Sequence, residues 1–391
     1  MNPFFLVALS VLGGGLLFLT HRLAFAPRWG MRWTLWAVPL VLVVMTGLSF
    51  LQFGSGATFA SPDTIRPLVW LGATWLAFAL YLLLGLVIVA LVSWVWGRVG
   101  PRREPGQTWG QRRVSLRERR QRVNRWGVAI AMALAVAITG YGVVKADDPT
   151  ITPMTVRSAQ LPEAFDGTTV ALITDLHAGA VRSADFTRKV VERTNAAKPD
   201  LIVLSGDLID GPVWRYGPTL EPLKDLTAPL GVFAVTGNHE MYSGTIRGWE
   251  DAWADLGVTV VSNKVVPVTK DGQSIALGGV HDFSGVGEFA PDYDAATAGV
   301  SPGEFQMVLA HQPRQAFSFE GKGVDLQLSG HTHGGQLWPF RQLVLSQQPM
   351  IDGYAVVAGV PVVTSRGAGA WGPPVRTGAD PQIPLITLAR G

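Results

Sequence analysis

The feature that most constrains this chain is a long uncharged stretch: Leu68–Trp96 contains no Asp, Glu, Lys or Arg. A soluble core has no need for an uncharged helix of this length, whereas a helix that crosses a bilayer needs about 20 apolar residues. Three further stretches also lack charged residues, namely Pro3–Thr20, Trp33–Leu51 and Gly127–Val144. We therefore predict that residues 1–145 form an all-α transmembrane domain with four helices, at about 3–20, 33–51, 68–96 and 127–144.

The charged residues divide the chain into two different parts. Residues 1–149 hold 15 Lys and Arg against 5 Asp and Glu, whereas residues 150–391 hold 17 against 24. Ten arginines lie in the segment 98–125. We predict that this segment is a cytoplasmic loop, because loops rich in positive charge stay inside. With four crossing helices, both termini and residues 150–391 lie outside the cytoplasmic membrane; if 127–144 instead lies in the membrane interface, residues 150–391 face the cytoplasm.

The membrane half indicates an anchor rather than a transporter, because its predicted spans carry no ionisable side chain. We expect it to contact membrane lipids, with the Arg-rich loop against anionic headgroups. The basic charge lies in this half, so we expect no nucleic-acid partner. The chain has no cysteine, which excludes disulfides, thiolate metal sites and a cysteine nucleophile.

Residues 150–391 show the pattern of an α/β domain that begins after the polar break Lys145–Pro149. Apolar, β-rich runs at 169–174, 201–205 and 232–236 alternate with helical spacing at 184–197 and 245–256. Further strand-like runs follow at 258–261, 265–269, 275–280, 305–310, 326–328, 355–357, 362–364 and 385–388. Early βα units followed by a strand-rich part indicate a mixed sheet, or two sheets, with helices outside.

Polar turns follow five of these apolar runs, at the position where open α/β sheets build their sites. The turns are Asp175-Leu176-His177, Gly206-Asp207, Gly237-Asn238-His239-Glu240, His311 and Gly330-His331-Thr332-His333. Together they offer carboxylate, amide and imidazole groups. Such a mixed oxygen and nitrogen set suits Mn, Fe or Zn, and it contains enough ligands for two ions.

The order of these turns resembles the signature of the calcineurin-like metallophosphoesterase superfamily, which reads D-x-H, G-D, G-N-H-[DE], a later H, and G-H-x-H. The run from Gly330 to Gln336 resembles the membrane-associated and exported bacterial branch, as do Ser365-Arg366-Gly367 and Pro374-Val375-Arg376. The resemblance covers nearly all of residues 155–391. It implies a two-sheet α/β/β/α sandwich, so we expect that fold for residues 150–391, preceded by the four-helix transmembrane domain.

The resemblance also implies a site with two divalent metal ions. Seven side chains would be the metal ligands: Asp175, His177 and His333 for one ion, Asn238, His311 and His331 for the other, and Asp207 bridging both. His239 would be catalytic, beside the leaving-group oxygen. The expected reaction is direct attack on phosphorus by a hydroxide that bridges the metals, with protonation of the departing oxygen by His239.

We therefore predict a membrane-anchored, dinuclear-metal-dependent phosphoesterase whose substrate is a phosphodiester or a lipid-linked pyrophosphate. The lipid expectation rests only on the anchor, which keeps the site close to membrane substrates. Two alternatives stay open. One is a catalytically inactive scaffold with the same fold, although every ligand position is intact. The other is a cytoplasm-facing phosphatase, if the last span does not cross.

Residues outside the metal motifs carry further hypotheses. Arg366 and Arg376 are candidates for binding the substrate, because guanidinium groups form paired contacts with oxyanions. For Glu240 we favour a structural ion pair over a role in orienting a neighbour. Three aromatic residues belong to the core, to an apolar wall of the substrate cleft, or to a membrane contact: Trp338, Phe340 and Trp371.

Overall fold

The structure is a computed structural model that describes residues 3–52, 60–98 and 105–391. The chain divides into two compact units. The first comprises Met1–Leu51 and Leu71–Tyr141, and the second comprises Gln52–Trp70 and Gly142–Gly391. All strands of the described residues lie in the second unit.

The N-terminal part of the chain is helical, as predicted. Its helices are α1 Pro3–Thr20, α2 Thr34–Ser49, α3 Pro62–Arg98 and α4 Trp109–Ala146. Among the described residues, three segments are long and apolar enough to cross a membrane, namely Thr34–Gln52, Pro62–Trp96 and Trp109–Ala146. Large apolar side chains, such as Trp36, Ile88 and Ile130, are exposed on the helix surfaces, as expected for helices surrounded by lipid.

The structure corrects the predicted bounds of the last two helices. Helix α3 begins at Pro62 instead of Leu68, and α4 begins at Trp109 instead of Gly127. Residues 109–125 of the predicted Arg-rich loop are therefore helical. The prediction followed apolar content alone, whereas Arg, Gln, Leu and Glu all have high intrinsic helix propensity. Residues 99–104 of that loop, and residues 53–59 between α2 and α3, lie outside the described residues.

The second unit contains twelve strands within residues 142–391, all of which the structure describes. The strands are β1 Thr150–Ser158, β2 Thr169–Ile173, β3 Leu201–Ser205, β4 Val232–Val235, β5 Thr259–Val260, β6 Lys264–Lys270, β7 Gln273–Gly279, β8 Gln306–Leu309, β9 Leu326–Ser329, β10 Gly353–Val357, β11 Val360–Thr364 and β12 Gln382–Arg390. The α-helices of the same range are α5 Ala184–Ala196, α6 Val213–Leu220, α7 Asn238–Tyr242, α8 Ile246–Asp255 and α9 Arg341–Val344.

These strands form two mixed sheets of six strands each. The first has the order β1-β12-β2-β3-β4-β5, and the second has the order β10-β11-β9-β8-β7-β6. Val203 and Val235 of the first sheet share one buried cluster with Leu277, Leu309 and Leu328 of the second. The two sheets therefore pack face to face over a common apolar core, and the expected two-sheet fold is confirmed.

Strand β1 is the one long strand that the sequence pattern did not predict. It pairs in parallel with β12 at the edge of the first sheet, from Thr150 opposite Gln382 to Ser158 opposite Arg390. Only Val156 of this strand is buried. An edge strand held mainly by backbone hydrogen bonds needs few apolar residues, so its sequence carries little signal.

The sheet topology decides where the polar turns meet. Strands β2, β3 and β4 are parallel neighbours in the first sheet, and β8 and β9 are parallel neighbours in the second. The carboxyl ends of parallel neighbours lie at the same edge of a sheet, where α/β folds bind their ligands. Each of these five strands is followed directly by one of the motif turns, so the fold collects the predicted site residues at this edge.

Candidate metal centre

The turns after β2 and β9 together form the first cluster of possible metal ligands. The Nε2 atoms of His177 and His333 lie 3.1 Å apart, and Nε2 of His333 lies 3.2 Å from Oδ1 of Asp175. The ligand atoms of these three buried side chains all lie within 4.8 Å of one another. The structure thus brings together the three residues expected to hold the first ion.

A second cluster is formed by the turns after β3, β8 and β9. Nε2 of His311 lies 3.2 Å from Oδ2 of Asp207, and both belong with His331 to a group whose ligand atoms lie within 4.8 Å of one another. Asn238 joins this group, because its Oδ1 lies 2.8 Å from Nδ1 of His331. Oδ2 of Asp207 also lies 3.9 Å from Nε2 of His177, so Asp207 lies between the two clusters.

The chemistry of His311 shows that the second cluster suits a cation. Its Nδ1 lies 2.7 Å from the carbonyl oxygen of Ser205, which fixes the proton on Nδ1. Its Nε2 is then the nitrogen that faces the cluster; it is buried, lies 3.2 Å from Oδ2 of Asp207 and makes no aligned hydrogen bond. A buried polar atom without a partner costs about 1–3 kcal/mol, and a metal ion would remove that cost. The donor set and its burial therefore fit two divalent ions.

Five of the predicted ligands have an unusual backbone conformation. Asp175, His177, Asp207, His331 and His333 have φ values of 54°, 49°, 52°, 70° and 51°. Residues other than glycine rarely adopt this left-handed region, and each instance costs on the order of 1–3 kcal/mol. Such strain clusters at functional sites, so the backbone gives evidence for a ligand site that is independent of the side chains.

Two glycines of the motifs are required by close packing around the carboxylates. A Cβ atom on Gly237 would collide with the side chain of Asp207, and one on Gly330 would collide with Thr174 and the carboxylate of Asp175. The glycines of the G-N-H and G-H-x-H turns therefore let the backbone approach ligands that follow other strands.

Burial lowers the pKa of two of the histidines at the cluster. It lowers the pKa of His331 to about 4 and holds the pKa of His333 well below its ordinary value. Both imidazoles are then neutral at pH 7, which is the form that binds a metal ion. Burial opposes ionisation of Asp207, but the neighbouring His311 and His239 outweigh it and keep the pKa of Asp207 well below its ordinary value. Neutral imidazoles at positions 331 and 333 thus lie in the same site as an ionised carboxylate.

Asp210 is a site residue that sequence reasoning missed. Its Oδ1 lies 2.8 Å from Nδ1 of His177 and 2.6 Å from Nδ1 of His239. Burial opposes charging of His239, but the carboxylates of Asp207 and Asp210 outweigh it and raise the pKa of His239 to about 9. The only signal in the sequence was a carboxylate three residues after Asp207, in a stretch that also reads as an ordinary turn.

Glu240 orients the turn that carries Asp207 and forms no ion pair with a Lys or Arg among the described residues. Its Oε2 accepts hydrogen bonds from the backbone N–H groups of Asp207 and Gly237, at 2.9 and 2.6 Å. Its Oε1 accepts from the N–H of Leu208 at 2.9 Å. The favoured hypothesis, a structural ion pair, is therefore wrong, and the alternative of orienting a neighbour describes this buried side chain.

The two arginines proposed for substrate binding lie in different environments. Arg376 is fully buried and donates to the backbone carbonyls of Gly369, His333 and Ala379, at 3.0, 2.8 and 3.2 Å. It therefore cannot reach a substrate, and that prediction is corrected: a guanidinium with several donors is satisfied here by the carbonyls of a tight loop. Arg366 is half-buried, donates to the carbonyl of Asp380, and stays a proposal for substrate binding.

Comparison with known protein families agrees with this geometry. The family described as calcineurin-like phosphoesterase matches residues 168–335, which include all seven predicted ligands and His239. A metallophosphoesterase of Bacillus subtilis is 30% identical over 270 residues, which cover 66% of this chain and 93% of that protein. This chain belongs to the calcineurin-like phosphoesterase family. The family is typically dependent on two metal ions, in agreement with the two ligand clusters of this chain.

Two other relatives match this chain over part of their length. A metallophosphoesterase of Helicobacter pylori is 36% identical over 225 residues, which cover 56% of this chain and 59% of that protein. A protein of Danio rerio described as a transmembrane protein with a metallophosphoesterase domain is 30% identical over 271 residues, or 66% of this chain and 62% of that protein. The chain thus spans about three fifths of the length of these curated relatives. The name of the second relative and the three apolar helices both indicate membrane association.

Proposed function

We propose that this protein is a membrane-anchored phosphoester hydrolase that uses two divalent metal ions, with Mn, Fe or Zn as the expected metals. The observation that carries this proposal is the convergence of seven potential ligands on one sheet edge, next to a histidine held by Asp210. A phosphodiester or a lipid-linked pyrophosphate is the substrate that we favour. When bound, the ions polarise the phosphoryl oxygens and lower the pKa of a water molecule, which supplies the nucleophile.

His239 is the proposed proton donor. Asp210 occupies its Nδ1, which leaves Nε2 as the nitrogen that can protonate the departing oxygen. The ring is half-buried, so a substrate can reach it, and its backbone N–H donates to Oδ1 of Asp207 at 2.8 Å. The raised pKa keeps the imidazole protonated at neutral pH, as a general acid requires. Because the chain has no cysteine, the proposed reaction has no covalent intermediate on a thiol.

The catalytic residues are proposed to lie outside the cytoplasmic membrane. Ala60, just before α3, belongs to the same compact unit as the catalytic strands, and its carbonyl accepts a hydrogen bond from Nη2 of Arg215 at 2.8 Å. Such a contact requires residues 60 and 215 to be on one side of the membrane. They share a side if α3 and α4 each cross once, and they do not if α4 stays in the interface. The contact therefore supports a crossing α4, and the arginines of residues 109–125 support the cytoplasm as the other side.

The test is hydrolysis by the purified, metal-stripped full chain after addition of Mn, Zn or Mg. Methyl 4-nitrophenyl phosphate and 4-nitrophenyl phosphate would serve as diester and monoester. We expect metal-dependent release of nitrophenol that Asp207→Asn and His239→Ala abolish, and that Asp294→Asn, an exposed carboxylate paired with Lys322, leaves unchanged. A folded chain that binds metal but hydrolyses neither ester, nor phosphoesters in a membrane lipid extract, would favour the inactive scaffold.

A further inference from the structure

An aromatic and aliphatic rim lies beside the catalytic histidine. Its five side chains are all at least 38% exposed, although large apolar side chains are normally buried: Trp338, Phe340, Leu343, Leu345 and Trp371. We call this set the apolar rim. Its members come from two segments, 336–345 and 371–378, and neither segment contains an Asp or a Glu.

Hydrogen bonds hold the two segments of the apolar rim side by side. The side chain of Gln336 donates to the carbonyl of Trp371 at 2.8 Å and accepts from its N–H at 2.9 Å. The N–H of Trp338 donates to the carbonyl of Thr377 at 3.0 Å. The exposed apolar side chains therefore form one fixed surface, and they are not the tips of independent loops.

The same segment, 371–378, contacts the ends of two apolar helices. The N–H of Arg376 donates to the carbonyl of Gly142 at 2.9 Å, and a Cβ atom on Gly142 would collide with Val375. Gly142 lies in the last turns of α4. A Cβ atom on Gly372 would lie 3.7 Å from Oε1 of Gln52, the residue at which the apolar segment Thr34–Gln52 ends. All these residues belong to the second compact unit. If the helices cross the bilayer, their ends mark its surface, and segment 371–378 lies at that level.

The apolar rim also reaches the catalytic centre. The ring of Trp371 packs edge-on against the ring of His239, with centroids 6.5 Å apart. The ring of Tyr242 is tilted against the same histidine, with centroids 5.6 Å apart. A phosphoester that keeps its apolar chain in the bilayer could therefore reach His239 along Trp371. Trp, Phe and Leu are the residues that proteins place in the interfacial region of a membrane.

We propose that the apolar rim docks on the lipid surface of the membrane that anchors the chain, and that the site beside His239 takes amphiphilic phosphoesters directly from that surface. Two observations select lipid as the occupant: the contacts of segment 371–378 with the helix ends, and the lack of acidic residues that would repel anionic headgroups. The docking itself is independent of the catalytic activity. The preference for amphiphilic substrates rests on the proposed phosphoesterase function.

The docking can be measured with spin labels on the full chain in phosphatidylcholine and phosphatidylglycerol vesicles. Because the chain has no cysteine, Leu343→Cys and the control Val286→Cys each give one labelling position; Val286 is 78% exposed and follows β7. We expect the label at position 343 to collide with lipid-soluble oxygen more often than with a water-soluble nickel chelate, and the control label to show the reverse. A label at 343 that behaves like the control, or that both reagents fail to reach because a second protein copy covers it, would overturn the docking.

The substrate preference is tested with two diesters that release the same nitrophenol, hexadecyl 4-nitrophenyl phosphate in vesicles and methyl 4-nitrophenyl phosphate in water. Replacement of the rim by Trp338→Ser and Leu343→Ser should lower kcat/KM for the hexadecyl ester by about tenfold, from the loss of apolar contact with lipid, and leave the methyl ester unchanged. Equal rates of the variant and the wild type on both esters would overturn the preference, with the phosphoesterase function intact. A wild type that hydrolyses neither ester while the label at 343 lies in lipid would refute the phosphoesterase function alone.

Discussion

The Oδ1 atom of Asp210 lies 2.6 Å from Nδ1 of His239, and the same atom lies 2.8 Å from Nδ1 of His177. One carboxylate thus orients both an expected metal ligand and the proposed proton donor. Burial opposes ionisation of Asp210, but the two histidines outweigh it and hold the pKa of Asp210 below its ordinary value. Asp210 therefore stays ionised over the pH range in which the protein would work.

Asp210→Asn should change the pH dependence of hydrolysis. Asp207 and Asp210 raise the pKa of His239 to about 9 against the opposing effect of burial, so the loss of one carboxylate lowers that pKa. A general acid loses its proton as pH rises through its pKa, and the fall in kcat at high pH should therefore begin at a lower pH in the variant. We also expect kcat to fall by about 10–100-fold. A profile measured from pH 5 to 10 with an unshifted basic limb, or an equal shift in Asp294→Asn, would contradict this role.

Glu240→Gln should weaken metal binding without unfolding the chain. The buried carboxylate accepts from three backbone N–H groups of the turns that carry Asp207 and Asn238, and a glutamine has a single acceptor oxygen for them. Groups that orient metal ligands typically contribute about 10–100-fold in metal affinity. The matched control is Glu304→Gln, because Glu304 accepts from the N–H of Ser301 on the surface. Equal metal dissociation constants in the two variants, measured by competition with a chelating dye, would refute the positioning role.

Arg376→Met should destabilise the fold and leave substrate binding nearly unchanged. The fully buried guanidinium donates to the carbonyls of Gly369, His333 and Ala379, and the variant leaves them without those donors. We expect a loss of about 3 kcal/mol in the free energy of unfolding, seen as a lower melting temperature in detergent. If KM instead rises by about tenfold with an unchanged melting temperature, the original hypothesis of a substrate-binding Arg376 is right.

The proposed orientation predicts which residues a membrane-impermeant maleimide reaches in intact cells. Exposed Ser301, in the catalytic domain, and exposed Ser115, in the Arg-rich part of α4, each accept a cysteine in this cysteine-free chain. Ser301→Cys should be labelled in intact cells, and Ser115→Cys only after permeabilisation. The opposite pattern would place the catalytic domain in the cytoplasm and support the alternative of a cytoplasm-facing phosphatase.

The metal motifs could be predicted from the sequence because each is local. In Gly330-His331-Thr332-His333 the spacing of one turn defines both ligands, and the preceding apolar strand places the turn at the sheet edge. Residues whose role depends on distant contacts could not be predicted in this way. One of the carbonyls that enclose Arg376 belongs to His333, 43 residues earlier in the chain. The partners of Asp210 lie in turns that follow two other strands, so nothing near it in the sequence marks it.

The bounds of the N-terminal helices could be predicted only in part from the sequence. Apolar content located the apolar part of each helix, but it gave no information on the charged residues 109–125, which form the first part of α4. The exposure of Trp338 and Trp371 could not be predicted from the sequence pattern either, because aromatic residues are more often part of the core. Local motifs therefore identified the chemistry, while burial and exposure required the fold.

The most direct test of the two-metal centre is the metal content of the chain titrated together with its activity. Metal-stripped full chain would receive Mn or Zn in steps, with bound metal measured by mass spectrometry and hydrolysis of methyl 4-nitrophenyl phosphate measured on the same samples. We expect binding of two ions per chain, activity that develops as the pair of sites fills, and loss of both in Asp207→Asn, whose carboxylate lies between the clusters. Activity that persists in the stripped chain, or metal binding that Asp207→Asn leaves intact, would contradict it.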